Sequence, residues 1–453
     1  MNILVVGAGT VGTAICAQLI KENHNITVID SKQSVLSELT DAVDVAGICG
    51  NGADISVLKR AGAQSADLLI AVTSGDEINI LCCAAAKKLG TAHTIARVRN
   101  PEYSGLMTLM QSEMNLSLTI NPELSVAKEI YRMLKFPSAA KIDTFAKGRV
   151  ELVQFSVSKD SPLCQRSLNE IRSKLNVHFL VCAVLRQGKA HIPSGHFTIE
   201  AGDTLCVTGP DREITKFFKA LDMYKHPVKN VVIAGAGRIT YYLQSLMRDG
   251  KIQSTVIDQS SEKCEALARL YDCSVICNDF TKQSVLLENG LDKTDAFIAL
   301  SDEDEENAIV SMYAKSLCKK DSRIITMIKS PTYADLFQNL GLDGIISPKT
   351  STTNNILRYA RAMSGAHGSK ISSLHKLMDS KIEALEFAVN GEIDALTGVA
   401  LRELKLRAGV LVACIIHNDK IIIPSGSDMI QNGDSVIIVS TTEQIKDLEE
   451  ILK

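Results

Sequence analysis

The sequence has no tryptophan, and phenylalanine and tyrosine bring its aromatic content to only 4%. That scarcity excludes the stacking platforms on which proteins hold unpaired bases. It suits sheets built from valine, isoleucine and alanine, in a chain that is 45% hydrophobic. Neither sign of charge prevails: 49 basic residues face 52 acidic ones, a net of −3. No electrostatic footprint for nucleic acid or an anionic lipid surface follows from such a balance. Long apolar runs are missing too, so no stretch reads as a membrane span. Residues 1–20 carry no charged side chain, but Gly7, Gly9 and Gly12 interrupt them and no Lys or Arg precedes them. A signal peptide needs the opposite flank. The expectation is a soluble, cytoplasmic chain, or one held at the inner face of the plasma membrane by a partner.

Metal spacing is equally absent among the twelve cysteines. Cys16, Cys49, Cys82, Cys83, Cys182, Cys206 and Cys414 sit in apolar runs and read as small buried hydrophobes. Cys273 and Cys277 flank a predicted strand, where zinc would require two further ligands. Core filling in a reducing compartment is the expectation, with no metal site. A Walker phosphate loop, a nucleophile elbow and the acid/base set of a dehydrogenase are all missing. No catalytic residue is therefore assigned. The rival reading is an NAD-dependent oxidoreductase with a duplicated fold.

What the chain does contain is itself, twice. Residues 3–30, ILVVGAGTVGTAICAQLIKENHNITVID, recur as residues 231–258, VVIAGAGRITYYLQSLMRDGKIQSTVID. Gly7 matches Gly235 and Asp30 matches Asp258 at the same spacing, and Gly62 with Gly290 and Asp67 with Asp295 hold it. Pro101-Glu-Tyr103 matches Pro331-Thr-Tyr333, and Ile120-Asn-Pro122 matches Ile346-Ser-Pro348. Strands are predicted at 2–6, 26–29, 45–49, 68–72, 94–98 and 117–120, with helices at 10–23, 31–41, 54–63, 76–90 and 102–114. The second copy predicts strands at 230–234, 254–257, 274–277, 296–300, 323–328 and 343–347. Continuous apolar runs mean strands buried on both faces, hence a parallel sheet between helices. With right-handed crossovers this is a doubly wound, Rossmann-like α/β fold.

A smaller module also recurs: Ile192-Pro-Ser-Gly195 with Gly202-Asp203, and Ile423-Pro-Ser-Gly426 with Gly433-Asp434. Each reads as a strand (151–157; 383–389), a short helix (164–174; 398–406) and two strands joined by a turn (186–189; 417–420), an α+β domain. Helical tracts 122–136 and 348–364 link the module types, with apolar stripes of Val126, Ile130 and Leu134 and of Ile356, Leu357 and Ala360. The expected domains are 1–122 and 228–348 (nucleotide-binding), 141–225 and 369–453 (small α+β), with linker helices 123–140 and 349–368.

Gly7-Ala-Gly-Thr-Val-Gly12 is a full dinucleotide fingerprint between a strand and a helix. Gly7 permits the tight turn, Gly9 lets the backbone approach a pyrophosphate, and Gly12 lets helix and strand pack closely. Unpaired N–H groups at the helix start face the anion. Asp30 is placed to accept from an adenosine ribose, which favours NAD(H) or an adenine nucleotide over NADP(H). The second copy, Gly235-Ala-Gly-Arg-Ile-Thr240, replaces the third glycine. Thr240 is expected to push helix and strand apart slightly. Arg238 marks either an empty, degenerate site or one tuned to a terminal phosphate.

Thr73, Ser74, Ser301 and Asp302 end the fourth strands, where they read as nucleotide contacts or as helix caps. Arg97 lies inside an apolar run and needs a partner, either a ligand or a core salt bridge. Met327 stands in its place in the second copy. The acidic run Asp302–Glu306 reads as the start of a helix, complementing its dipole, rather than as a cation site.

The segments VVGAGTVG, VID, AVTSGDEIN and RNPEY, with the IPSG…GD module, resemble the RCK/KTN family over nearly the whole chain. The resemblance implies RCK-N domains for the Rossmann units and RCK-C domains for the small modules. It places nucleotide contacts on Gly7, Ala8, Gly9, Thr10, Val11, Asp30, Thr73, Ser74 and Arg97. In the second copy they fall on Gly235, Ala236, Gly237, Arg238, Ile239, Asp258 and Ser301. It also implies a homo-oligomeric gating ring that regulates potassium transport. NAD(H) or ATP/ADP binding would gate an integral membrane potassium-translocating subunit of the TrkH/TrkG kind.

Overall fold

The computed structural model describes residues 1–103, 116–135, 141–146, 149–175, 177–221, 228–342, 344–364, 369–378, 381–391, 393, 395–418, 420–441, 445 and 447–453. The predicted helix at 102–114 lies almost entirely outside them. Two compact units form, Met1–Tyr131 with Val228–Leu357, and Arg132–Pro227 with Arg358–Lys453. Like therefore associates with like: each unit gathers the two copies of one module.

In the first unit, β1 (Asn2–Val6), β2 (Asn25–Asp30), β3 (Ala46–Cys49), β4 (Leu68–Ala71), β5 (His93–Arg97) and β6 (Leu118–Ile120) form one sheet. Its order is 3-2-1-4-5-6 and every pairing is parallel. The strand order reverses beside β1, so a crevice opens at the carboxyl ends of β1 and β4, the place where doubly wound sheets bind ligands. Leu68–Ala71 is buried throughout, as a strand covered on both faces must be. The helix Asp76–Leu89 begins on Asp76 and Glu77 and ends on Lys87 and Lys88, complementing its dipole at both ends.

In the second unit, β7 (Lys141–Phe145), β8 (Val150–Ser156), β9 (Leu180–Arg186), β10 (Lys189–His191) and β11 (Thr204–Gly209) make an antiparallel sheet of order 10-9-11-8-7. Four phenylalanines, Phe155, Phe179, Phe217 and Phe218, pack ring to ring here, with centroids 4.4–5.9 Å apart.

The second copy repeats both sheets. β12 (Asn230–Ala234), β13 (Gln253–Asp258), β14 (Ser274–Cys277), β15 (Ala296–Ala299), β16 (Arg323–Met327) and β17 (Ile345–Ile346) follow the order of the first Rossmann sheet. β18 (Ser369–Leu377), β19 (Ile382–Val389), β20 (Val410–His417), β21 (Lys420–Ile422) and β22 (Ser435–Ser440) repeat the small one. The tandem α/β and α+β architecture expected from the sequence is thus present.

Three expectations need correction. Residues 398–406 are not helical: Leu401 N–H donates to Asp428 O and Arg402 N–H to Gly426 O, both at 2.9 Å. These long-range bonds replace the bonds to the fourth preceding carbonyl that a helix needs. The strands β7, β11, β18 and β22 add to those expected for the small modules. Cys49 is exposed, not buried, because it ends β3 at the sheet's open carboxyl edge.

The helices Pro122–Lys135 and Pro348–Ser364 lie over the tracts read as helical, with Val126, Ile130, Leu134, Ile356 and Ala360 buried and Leu357 half-buried. The paired small modules share one core, in which Phe145, Leu152, Cys182 and Cys206 lie in the same cluster as Ile382, Ala384, Cys414 and Ile437. Polar bonds cross that seam: Asp143 to His375 Nδ1 at 2.9 Å, and Ala146 N–H to Glu386 Oε2 at 3.0 Å.

Candidate nucleotide site

β1 delivers the chain into the turn Gly7–Gly9, and the helix Thr10–Lys21 leaves it. Gly7 adopts φ 104°, a left-handed conformation that only glycine takes without strain. The turn is held from behind by β2. Gly7 N–H donates to Ile29 O (2.8 Å) and Ala8 N–H to Asp30 Oδ2 (2.7 Å), while Lys32 N–H donates to Asp30 Oδ1 (2.9 Å). Asp30 thus clamps the turn. Its oxygens keep further lone pairs for a ribose hydroxyl.

Gly12 sits where an added Cβ would fall 1.9 Å from Gly7 O, which is why no side chain fits. Above Gly9 an added Cβ would meet nothing within 4 Å. The helix start has no side-chain cap, so its first N–H groups face that open space. Gly9 and Thr10 are exposed and Val11 is half-buried. Uncapped donors behind an open, left-handed glycine turn fit a diphosphate.

The second copy repeats the clamp. Gly235 has φ 111°, Ala236 N–H donates to Asp258 Oδ2 (2.7 Å), and Ser260 N–H donates to Asp258 Oδ1 (2.8 Å). Above Gly237 the space is again open, and the helix Arg238–Gly250 again starts without a side-chain cap. At the third glycine position Thr240 is fully buried, and its hydroxyl donates to Gly235 O at 2.6 Å. Thr240 therefore ties the helix to the turn with a bond that no glycine could make, which corrects the expectation of a simple wedge. Arg238 is exposed at the first helical position, and Ile239 is buried beneath it.

The opposite wall is built by side chains that sequence reasoning passed over. Asn79, fully buried, accepts from Thr73 N–H (2.8 Å) and from the Thr73 hydroxyl (2.7 Å). It donates to Thr73 O (3.2 Å) and Arg97 O (2.9 Å). Asp76 accepts from the backbone N–H groups of Arg99 and Asn100, each at 2.7 Å. Together they staple the end of β4 to the end of β5. Asn307 and Asp304 do the same for Ser301, Met327, Lys329 and Ser330. The signal was present in the repeat: each pair keeps the spacing of Gly7 and Gly235. Asp302, whose carboxylate and carbonyl both accept from Lys329 Nζ, spends itself on that lysine. The acidic run does open the helix Asp304–Leu317.

Arg97 reaches Thr73 O with Nη2 (2.6 Å), and its Nε is buried without a partner. Arg99 donates to Ser74 O and to Asp76 Oδ1 (3.3 Å). Glu123 also has a buried oxygen, Oε2, without a partner. Burial pushes its carboxyl above the usual range, against the pull of its own backbone N–H and of Arg99, Arg238 and Arg97. The guanidinium at the second phosphate turn is thus felt at the rim of the first site. Tyr242, from the same helix as Arg238, donates to Arg99 O (3.0 Å) and accepts from Asn121 Nδ2 (2.8 Å). Arg97, with its buried Nε unbonded, and Arg99 beside it bring donors and positive charge that suit an anion at the first crevice. Met327 leaves the second crevice without the counterpart of Arg97.

Among the described residues, no group of three or more His, Cys, Asp or Glu is arranged to hold a metal, and no helix is long and apolar enough to cross a membrane.

Fold and site together define a tandem α/β protein, with two Rossmann units each followed by a small α+β module. Residues 3–117 and 231–348 match the TrkA-N domain, and residues 152–222 and 393–453 the TrkA-C domain. The chain is 30% identical to the Trk system potassium uptake protein TrkA homolog of Archaeoglobus fulgidus, covering all of both chains. It is 29% identical to the Trk system potassium uptake protein TrkA of Vibrio alginolyticus, over all of this chain and 99% of that one. Among solved structures, the GsuK channel bound to NAD matches with a TM-score of 0.63 at 18% identity, covering 99% of this chain and 78% of that one. The GsuK RCK domain matches at 0.62 and 17%, covering 99% and 94%. The chain belongs to the TrkA family. Its relatives are named as potassium-uptake proteins, not as enzymes, which leaves the oxidoreductase reading without support.

Proposed function

We propose that this chain is the regulatory subunit of a Trk-type potassium-uptake system, binding NAD(H) or an adenine nucleotide to gate a membrane-embedded potassium-translocating partner. The observation that carries the reading is the doubled cradle: an uncapped helix start behind a left-handed glycine turn, each clamped by an aspartate. In the first copy Gly7, Ala8, Gly9, Thr10 and Val11 hold the diphosphate. Asp30 takes the ribose, and Thr73, Ser74 and Arg97 line the far wall. In the second copy Gly235, Ala236, Gly237, Arg238, Ile239, Asp258 and Ser301 hold the corresponding positions. The arginine excess at the first crevice makes it the stronger anion site.

The two Rossmann units share one compact unit, and Tyr242 bonds one to the other beside the first crevice. Occupancy there biases their arrangement. A coupling of about 1–3 kcal/mol is enough to shift a gate several-fold to a hundred-fold. The ligand must bind the two arrangements unequally to do so. Exposed Leu81 and Ile309, at matching positions of the two copies, together with Met312, offer apolar surface for assembly into a homo-oligomeric ring.

The test is a thermal-unfolding panel of the full chain with NAD, NADH, ATP and ADP. A ligand at a hundred times its dissociation constant adds about 2.7 kcal/mol of stability. The expected result is a shift with at least one of the four, reduced in Asp30→Ala. No shift with any of them, or sustained NADH oxidation on added carbonyl substrates, overturns the reading.

A further inference from the structure

Two thiols meet beside Asp258. Cys264 lies on the helix Ser261–Leu270 and is only 5% exposed. Cys277 ends β14 directly opposite Asp258 in the parallel register, and it is exposed. The two side chains reach adjoining carbonyls of the same strand ends, which sets the thiols side by side. Cys264 Sγ also points at the carbonyl oxygens of Asp258 (3.4 Å) and Ile276 (3.9 Å), and Cys277 Sγ at that of Gln259 (3.8 Å).

The first copy supplies an internal control. Cys49 occupies the position of Cys277, is likewise exposed, and faces the carbonyl of Ser31 at 3.6 Å. Where the second copy has Cys264, the first has Leu36, an apolar side chain buried on the helix Gln33–Ala42. One exposed thiol therefore has a buried partner and its structural twin has none. Cys182 and Cys414 share the core of the small modules, but both are wholly buried, out of reach of any reagent.

We propose that Cys277 and Cys264 form a thiol–disulfide exchange site whose substrate is a low-molecular-weight disulfide. The exposed thiol of Cys277, as thiolate, attacks one sulfur of the small disulfide. The S–S bond breaks, a small thiolate leaves, and a mixed disulfide remains on Cys277. Cys264 then gives up its proton and attacks Cys277 Sγ, expelling the second small thiolate. Two protein thiols are oxidised to one disulfide, and the small disulfide is reduced to two thiols that take up the two protons.

The order follows from access, since only Cys277 meets solvent. Burial also pushes the Cys264 thiol up to about 11, so it is the poorer first nucleophile of the two. Closure would withdraw the S–H from the Asp258 carbonyl and tie helix to strand next to the clamp. Only that consequence rests on the nucleotide reading; the exchange itself does not.

The full chain is treated with glutathione disulfide, remaining thiols are alkylated, and the peptides are mapped by mass spectrometry. No nucleotide is present, so the result is independent of nucleotide binding. Cys49 should keep its glutathione adduct, while Cys277 is recovered linked to Cys264 with adduct about tenfold lower. Cys264→Ser should leave the adduct standing on Cys277, and Leu36→Cys should convert Cys49 into a linked pair. Should Leu36→Cys not fold, the Cys264→Ser comparison decides alone. Equal adduct on Cys49 and Cys277 in the unaltered chain, or a Cys264 that stays fully alkylatable, overturns the proposal.

Discussion

Replacing Asn79 by alanine should cost the first Rossmann unit more stability than the loss of any surface contact. The side chain is fully buried and makes four hydrogen bonds, two accepted from Thr73 and two donated to the carbonyls of Thr73 and Arg97. Thr73 O keeps a bond from Arg97 Nη2. Thr73 N–H and Arg97 C=O lose the partner that Asn79 provides. Leaving a buried backbone group unpaired costs about 1–3 kcal/mol, and an intact hydrogen bond contributes about 1 kcal/mol net. The expected loss is therefore about 3–5 kcal/mol. Asn307 makes three such bonds in the second copy, so Asn307→Ala should cost about 1 kcal/mol less. Calorimetry of the full chain gives the size of each effect. Hydrogen exchange at the ends of β4, β5, β15 and β16 shows which unit loosens. Losses under about 1 kcal/mol for both variants would refute the staple, since unsatisfied groups at that depth have no cheaper remedy.

Other outcomes follow from the same geometry. Gly12→Ala places a Cβ 1.9 Å from Gly7 O and should destabilise by about 1–3 kcal/mol, read as a lower unfolding temperature. Thr240→Gly, which deletes the 2.6 Å bond to Gly235 O, should cost about 1.5–2 kcal/mol by the same measurement, where a glycine-tolerant second turn would show no loss. Acid should weaken the unit of small modules through Asp203, which is 1% exposed. Burial pushes this carboxyl up, but hydrogen bonds from Arg186 and from Glu200 N–H outweigh it and leave it below the usual range. A depressed carboxylate contributes stability above its unfolded value and loses it as pH falls through the folded one. Unfolding temperature should therefore drop below about pH 4, and Asp203→Asn should flatten that part of the profile.

Much of the fold was legible because its strands are continuous apolar runs and its turns are glycines. Leu68–Ala71 reads as buried from its four letters, and the spacing of Gly7 and Asp30 recurs intact at Gly235 and Asp258. β7 and β18 carry no clear signal because KIDTF and SKISSLHKL mix polar residues into a strand period. Residues 398–406 read as a helix, yet their backbone bonds run to Asp428 and Gly426 across the module. The staple went unseen for a different reason. Asn79 and Asp76 look like polar residues at a helix start, and only the neighbouring strand end, some twenty residues on, shows what they hold. Arg97 stands out as a charge in an apolar run, but its bond to Thr73 O leaves no mark in the spacing.

The order of residues by itself determined the duplication, the parallel sheets and the two glycine turns with their aspartates, because each rests on local pattern and strict spacing. Tertiary structure decided what lies between copies and between strands. It sorted the modules into like pairs, let the charge of Arg238 be felt at Glu123, turned Thr240 from a wedge into a tie, and set Cys264 beside Cys277. Such contacts depend on which surfaces meet after folding, and side chains far apart along the chain carry no periodic mark of their eventual neighbours.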